Sequence, residues 1–315
     1  MPDLGPAVTT VIRKCLAVKA NEDVLVIADP ASRRLGEALK QGATEAGADA
    51  TLAIMDERAT DGTEPTRPIA AAMSECDVFI APTTRSLSHT RARTRATDGG
   101  ARGATLPGIT EDMLARTMTV DFETMAARSQ ALAELLGQAD TAHVSCPLGT
   151  DLQLELSGRT GIADDGNLSN AGSFGNLPAG EGFISPRSGE GTIIASSLAS
   201  LGLTSEPAQL VVKDGQVVAA EGGLGPRYYE RLDAHGDLGR NLAELGVGTN
   251  EAARLTGNVL EDEKILGTVH VAFGASAGIG GMVSVPIHLD VVVLDASLQI
   301  GDTQVLDAGR FVLAG

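Results

Sequence analysis

A parallel α/β domain followed by a mostly antiparallel α+β domain is the fold class this sequence predicts, and three observations predict it. Up to residue 140, short apolar runs alternate with Ala-rich helical stretches, the rhythm of βαβ units. Beyond it, glycine becomes frequent and the apolar runs shorten. Lys213-Asp214-Gly215, set between two alternating runs, is a hairpin turn. The reading therefore divides the chain into an α/β three-layer domain over 1–140 and an α+β domain over 141–315.

In the first domain, helical periodicity over 6–18 leads through Asn21-Glu22-Asp23 into the strand VLVIADP at 24–30. RRLGEALKQGATEAGA at 33–48 is a helix, followed by the strand ATLAIMD at 50–56. PIAAAMSECD at 68–77 is helical and runs into the strand VFIAPT at 78–83. One or two helices from Thr110 close the domain. Neither G-x-G-x-x-G nor G-x-x-x-x-G-K-[ST] occurs in this half, so the layout of a nucleotide-binding domain lacks its phosphate loop. Arg85, Arg91, Arg93, Arg95 and Arg102 crowd the segment after the third strand. They are either a solvated loop and helix start or a charged wall at the carboxyl ends of the strands, where open α/β sheets keep ligands.

In the second domain, HVSCP, DLQLELSG, GTIIASS, QLVVKDGQVVAA, TVHVAFG and HLDVVVLDASLQIGD read as short strands. NLAELGVGTNEAARL, with a start as early as YYERLDAH, reads as the one clear helix.

Composition narrows the function. A net charge of −17 argues against nucleic acid and anionic membrane surfaces as partners. Aromatic residues make up 3% of the chain and tryptophan is absent, which disfavours a base-stacking platform. Cys15, Cys76 and Cys146 are far apart and form no CxxC pair, so neither a disulfide framework nor a thiolate zinc site is expected. No apolar run reaches the ~18 residues of a spanning helix, and the N-terminus lacks signal-peptide order. The expectation is a cytoplasmic protein.

The chemistry concentrates in the second half. His288 and Asp290 sit two apart in VPIHLDVVV, a strand pattern that points both side chains to one face. In such apolar surroundings each needs a partner, because an unpaired buried polar group costs several kcal/mol. Either a satisfied core pair or two metal ligands would meet that need. Glu181 in GNLPAGEGF, Glu244 in AELGVGTN and His270 in GTVHVAFG also stand where surface residues are not expected. Two histidines and three carboxylates suit Zn²⁺, Co²⁺ or Mn²⁺. They are enough for two ions bridged by carboxylate, which activate water for hydrolysis.

The order NLPAGEGF, AELGVGTN, GTVHVAFG, HLD, together with SLSHTRARTRATDGGARGATLPGITEDML, resembles the thermophilic aminopeptidases of the T and S type. The resemblance implies that Glu181, Glu244, His270, His288 and Asp290 hold two divalent ions. It also implies an aminopeptidase-type hydrolase acting on a small peptide or amide, and a homodimer. In that family a tyrosine after the first histidine assists catalysis; VAFGASAGIGGMVSVPI has none, and Tyr228 and Tyr229 lie upstream. No catalytic acid or base is therefore assigned. SGEGT at 188–192 and the terminal HLD are similar to a second branch, the iron-dependent 2,5-dihydroxypyridine dioxygenases. That branch implies a two-histidine, one-carboxylate Fe(II) site that opens a small aromatic ring. Its first histidine falls where this chain has Glu244, and it lacks the counterpart of Glu181; this chain keeps both glutamates, which favours the hydrolase, with the dioxygenase as the alternative. Glu190, in the shared motif, is either a proton-transfer residue or part of a solvated turn.

Overall fold

The computed structural model describes residues 2–313. The chain forms two compact units, one of Met1–Phe122 with Gly166–Ala179, the other of Glu123–Asp165 with Gly180–Gly315. The division differs from the sequence reading in two places. Helix Phe122–Gln138 belongs almost wholly to the second unit, because its Leu132 and Leu136 are buried in that unit's core. The Gly-rich segment at 166–179 returns to the first unit, where Phe174–Asn176 pairs as a strand.

The first unit is a parallel sheet with helices. Strands β1 (Asp23–Ala28), β2 (Asp49–Ile54), β3 (Val78–Ala81) and β4 (Arg102–Thr105) run in the order β2-β1-β3-β4, and Phe174–Asn176 follows β4. Every pairing in this sheet is parallel. β1 is buried at all but its first residue and β3 throughout, as sheet interiors with helices on their faces require. β4 escapes a sequence reading because RGAT has no apolar run. Its Gly103 packs where a Cβ would lie 2.4 Å from the Phe79 ring.

The arginines do not form a common wall. Arg91 pairs with Glu64 and Arg85 with Glu57. Arg93 lies 4.4 Å over the Phe174 ring and donates to the Ser88 carbonyl. Arg102, buried in β4, donates to the Leu16 and Ala17 carbonyls and to both Glu22 oxygens at 2.7 and 3.0 Å. Beyond the carboxyl ends of β1 and β3, Asp29 accepts from Ser32 and from the Thr84 amide. Burial opposes its ionisation, but these donors outweigh burial and hold its carboxyl below the usual range.

The second unit is built on a 13-stranded sheet among the described residues, antiparallel at each pairing. Its middle runs Ser188–Leu198, His288–Val293, Val269–Gly274, Leu242–Gly248, Glu181–Ile184. The helix expected over NLAELGVGTNEAARL is absent: Leu242–Gly248 is a strand, and the helices lie upstream at Gly225–Asp233 and Gly236–Arg240. A solvated helix needs a polar face, and each residue of Leu242–Gly248 is buried. No described helix is long and apolar enough to cross a membrane.

Arg102→Met should lower the unfolding free energy by about 3 kcal/mol, the cost of stranding one partner of a buried pair. Burial raises the Glu22 carboxyl, but Arg102 outweighs it and the pKa is lowered from 4.5. The ionic part is therefore present above about pH 4.5 and lost as pH falls below it. Urea midpoints for wild type and variant should converge toward low pH; a gap that widened there would contradict this.

Candidate metal centre

Strand register brings the candidate residues to one face. Asp290 lies opposite Ala272, and Ala272 opposite Glu244. One row along, His288 lies opposite Gly274 and His270 opposite Gly246; Glu181 lies opposite Gly248. Directly paired residues share a face, so the five polar side chains project among Gly246, Gly248, Ala272 and Gly274, with Val292 opposite His270 and Asp164 opposite Glu181. The glycines are required by close approach. A Cβ on Gly246 would sit 2.0 Å from His270 Nε2, and one on Gly248 would sit 2.1 Å from the Ile265 carbonyl oxygen. The segment reads as a helix in sequence; its glycines are cleared space beneath an imidazole and a crossing chain.

All five residues named from sequence converge. Glu181 Oε2 is 3.0 Å from His270 Nε2, and Glu244 Oε1 is 3.4 Å from the same nitrogen. Glu244 Oε2 is 3.3 Å from His288 Nε2, which lies 3.7 Å from Asp290 Oδ1. The atoms form two groups with metal-binding spacing, Glu181-Glu244-His270 and Glu244-His288-Asp290, sharing Glu244. His270 is fully buried, and Glu181, Glu244 and Asp290 are each less than 9% exposed.

Three features fit this donor set to a divalent cation. His288 Nδ1 donates to the Ala275 carbonyl at 2.7 Å, which leaves its Nε2 lone pair facing Glu244 and Asp290. Glu181 Oε2 is buried with no hydrogen bond of its own, despite its proximity to His270. The electrostatics also demand positive charge. Burial opposes protonation of His288, yet Asp290 and Glu244 outweigh it and push its pKa up to about 10. Burial opposes protonation of His270 too, and Glu181 and Glu244 raise it well above its usual value. Burial raises Glu244, but hydrogen bonds and charge from the two imidazoles more than reverse this and hold it well below the carboxylate range.

One charged residue in this cluster was not found from sequence. Lys264, 2% exposed at its side chain, places Nζ 2.5 Å from Glu181 Oε1, 2.9 Å from Glu263 Oε1 and 3.4 Å from Asp164 Oδ2. Burial pushes Asp164 up to about 7 and Glu263 to about 8 even beside this ammonium. In sequence, EDEK at 261–264 reads as a solvated charge run; only its position between NVL and ILG hints at burial. Glu261 and Asp262 are buried as well, accepting from the Arg254, Thr256 and Gly257 amides.

Glu190 stands apart from the cluster. It is exposed and pairs with Gln153, at the opposite end of its strand from Ser197 and Leu198, which meet the His288 strand. Tyr228 is buried and donates its hydroxyl to the Leu289 carbonyl at 2.6 Å, bracing the backbone between His288 and Asp290.

A family model described as 2,5-dihydroxypyridine 5,6-dioxygenase (NicX) matches residues 3–313. A curated 2,5-dihydroxypyridine 5,6-dioxygenase of Pseudomonas putida KT2440 is 23% identical over 223 residues. That alignment spans 64% of this chain and 62% of the relative's length. Among solved structures, the 2,5-dihydroxypyridine dioxygenase from P. putida KT2440 superposes with a TM-score of 0.83 at 18% identity, covering 99% of this chain and 97% of that one. AmpT from Thermus thermophilus superposes with a TM-score of 0.71 at 19% identity, covering 98% and 99%. At these identities the structural likeness shows the fold alone.

The raised values give a pH test. Groups whose folded pKa exceeds the unfolded one stabilise fully below the unfolded value and lose that contribution as pH rises. His270 and His288 act above 6.5, with His288 ending near 10; Asp164 and Glu263 act in the same direction up to about 7 and 8. With EDTA, the melting temperature should fall between about pH 6.5 and 10; saturating Mn²⁺ should flatten the fall by replacing protons with an ion. A flat profile under EDTA would contradict the raised histidine values.

Proposed function

The chain belongs to the 2,5-dihydroxypyridine 5,6-dioxygenase family, and from that premise we propose that it is a metal-dependent dioxygenase opening a small hydroxylated aromatic ring. The observation that carries this reading is the family match over 3–313, a span that includes every residue of the buried centre. It supports the ring-opening branch of the resemblance over the aminopeptidase branch. In this reading His288, Asp290 and Glu244 would hold one divalent iron. Iron supplies the one-electron chemistry that lets oxygen react with a spin-paired ring.

The chain's own residues have distinct tasks. The Ala275 carbonyl fixes the His288 tautomer, and Tyr228 steadies the backbone between His288 and Asp290. His270 Nε2, between Glu181 and Glu244, holds a proton that a ring hydroxyl can exchange. The departure from a two-histidine, one-carboxylate set is Glu244, which puts a second carboxylate beside His288 and lowers the net charge of the loaded site.

A second reading, two-ion hydrolysis of a peptide or small amide, has one observation in its favour: Glu244 belongs to both three-residue groups, as a bridging carboxylate would. The two readings separate in one assay series. Protein loaded anaerobically with Fe²⁺ should contain one iron per chain and consume oxygen with 2,5-dihydroxypyridine. His288→Ala and Asp290→Asn should lower that rate by at least ~100-fold, since losing even an outer-shell partner of a ligand costs roughly 10–100-fold. Two Zn²⁺, Co²⁺ or Mn²⁺ per chain, with amide cleavage independent of oxygen, would overturn the dioxygenase reading in favour of the hydrolase.

A further inference from the structure

The second unit buries a cation of its own. Lys264 Nζ lies within 3.4 Å of three carboxylate oxygens from three separate segments: Asp164 Oδ2, Glu181 Oε1 and Glu263 Oε1. The side chain is 2% exposed, so water screens none of this appreciably. An all-oxygen, all-anionic set around one point is what a hard divalent ion selects. The ammonium also engages one oxygen of Glu181, while the other faces His270.

The surroundings are built to keep the lysine there. Its carbonyl accepts from the Asn250 amide, and the Lys264–Ile265 backbone crosses directly over Gly248, where any Cβ would collide. The short helix preceding it, Val259–Asp262, is capped by Asn258, and its buried Asp262 is tied to Ser197 at 2.7 Å. The backbone at Lys264 is thus fixed from both sides, which holds the long side chain in one direction.

We propose that Lys264 is a resident cation whose ammonium ties up Glu181, a member of the Glu181-Glu244-His270 group, so that this group takes no ion and the protein binds a single divalent ion at Glu244, His288 and Asp290. Lys264 is then a positioning residue: it turns a cluster with enough ligands for two ions into a one-ion site. This deepens the one-ion reading above and rests on the ligand set named there, but it concerns stoichiometry and not the reaction.

The test is a count of Mn²⁺ bound per full-length chain, by equilibrium dialysis with metal analysis and by the loss of free-Mn²⁺ electron paramagnetic resonance signal. Wild type should bind one Mn²⁺, Lys264→Met two, and Lys264→Arg one, because arginine keeps the charge. Lys264→Met strands three buried carboxylates, so Lys264→Met/Glu263→Gln is made alongside it to lower the repulsion, and both are refolded with Mn²⁺ present. The double variant should also bind two. Wild type binding two ions, a folded Lys264→Met binding one, Lys264→Arg binding two, or failure of both methionine variants to fold in Mn²⁺ would each overturn the proposal. Absence of oxygen uptake in a wild type that binds one ion would instead sink the dioxygenase reading and leave this inference standing.

Discussion

Five carboxylates, two imidazoles and one ammonium share the interior of the second unit, and the arrangement of that unit follows from having to tolerate them. A lone carboxylate moved into such surroundings would give up its charge before it gave up its hydration. Here each carboxylate has Lys264 or an imidazole within about 4 Å, where an effective dielectric near 20 makes attraction to a cation worth several kcal/mol. With both imidazoles neutral, one ammonium faces five carboxylates. Protons on the imidazoles are one way to correct that imbalance, and a divalent ion is another. The same imbalance favours a cation at the centre and raises the imidazole pKa values.

Packing such a group requires space as well as charge. Gly246, Gly248, Ala272 and Gly274 sit on the ligand-bearing face and leave the room that the side chains fill. The opposite face of the same strands carries Leu245, Val247, Val269, Val271, Phe273, Leu289, Val291 and Val293, all members of the hydrophobic core. Each strand thus alternates core residue with ligand or small residue, apart from Val292, which lies opposite His270 on the ligand face. Stability comes from one face and chemistry from the other, on a rigid sheet and not on loops.

Much of this was legible in the sequence where local pattern and final environment agree. The strands at 24–30, 50–56 and 78–83 are apolar runs and fold as such. The five polar residues stood out because each interrupts an apolar or glycine-turn context, and the structure brings all five together. What was not legible depends on distant partners. Leu242–Gly248 looks helical by itself and is a strand because neighbours on both sides pair with it. Arg102 looks like one arginine in a basic loop, yet its donors end on Leu16, Ala17 and Glu22, some 80 residues earlier. Lys264 sits in a run of charges that composition assigns to solvent. Between hydrolase and oxygenase, the retained Glu181 and Glu244 favour the hydrolase in sequence, whereas the family match over 3–313 supports the oxygenase branch.

The central claim is that Glu244, His288 and Asp290 hold the divalent ion, and anomalous diffraction at the iron edge from crystals loaded anaerobically with Fe²⁺ tests it most directly. The expected result is an anomalous peak about 2.0–2.3 Å from His288 Nε2 and from oxygens of Asp290 and Glu244, the range of ordinary nitrogen and carboxylate ligation. Iron located elsewhere, with His288 Nε2 still paired to the Glu244 carboxylate, would contradict it.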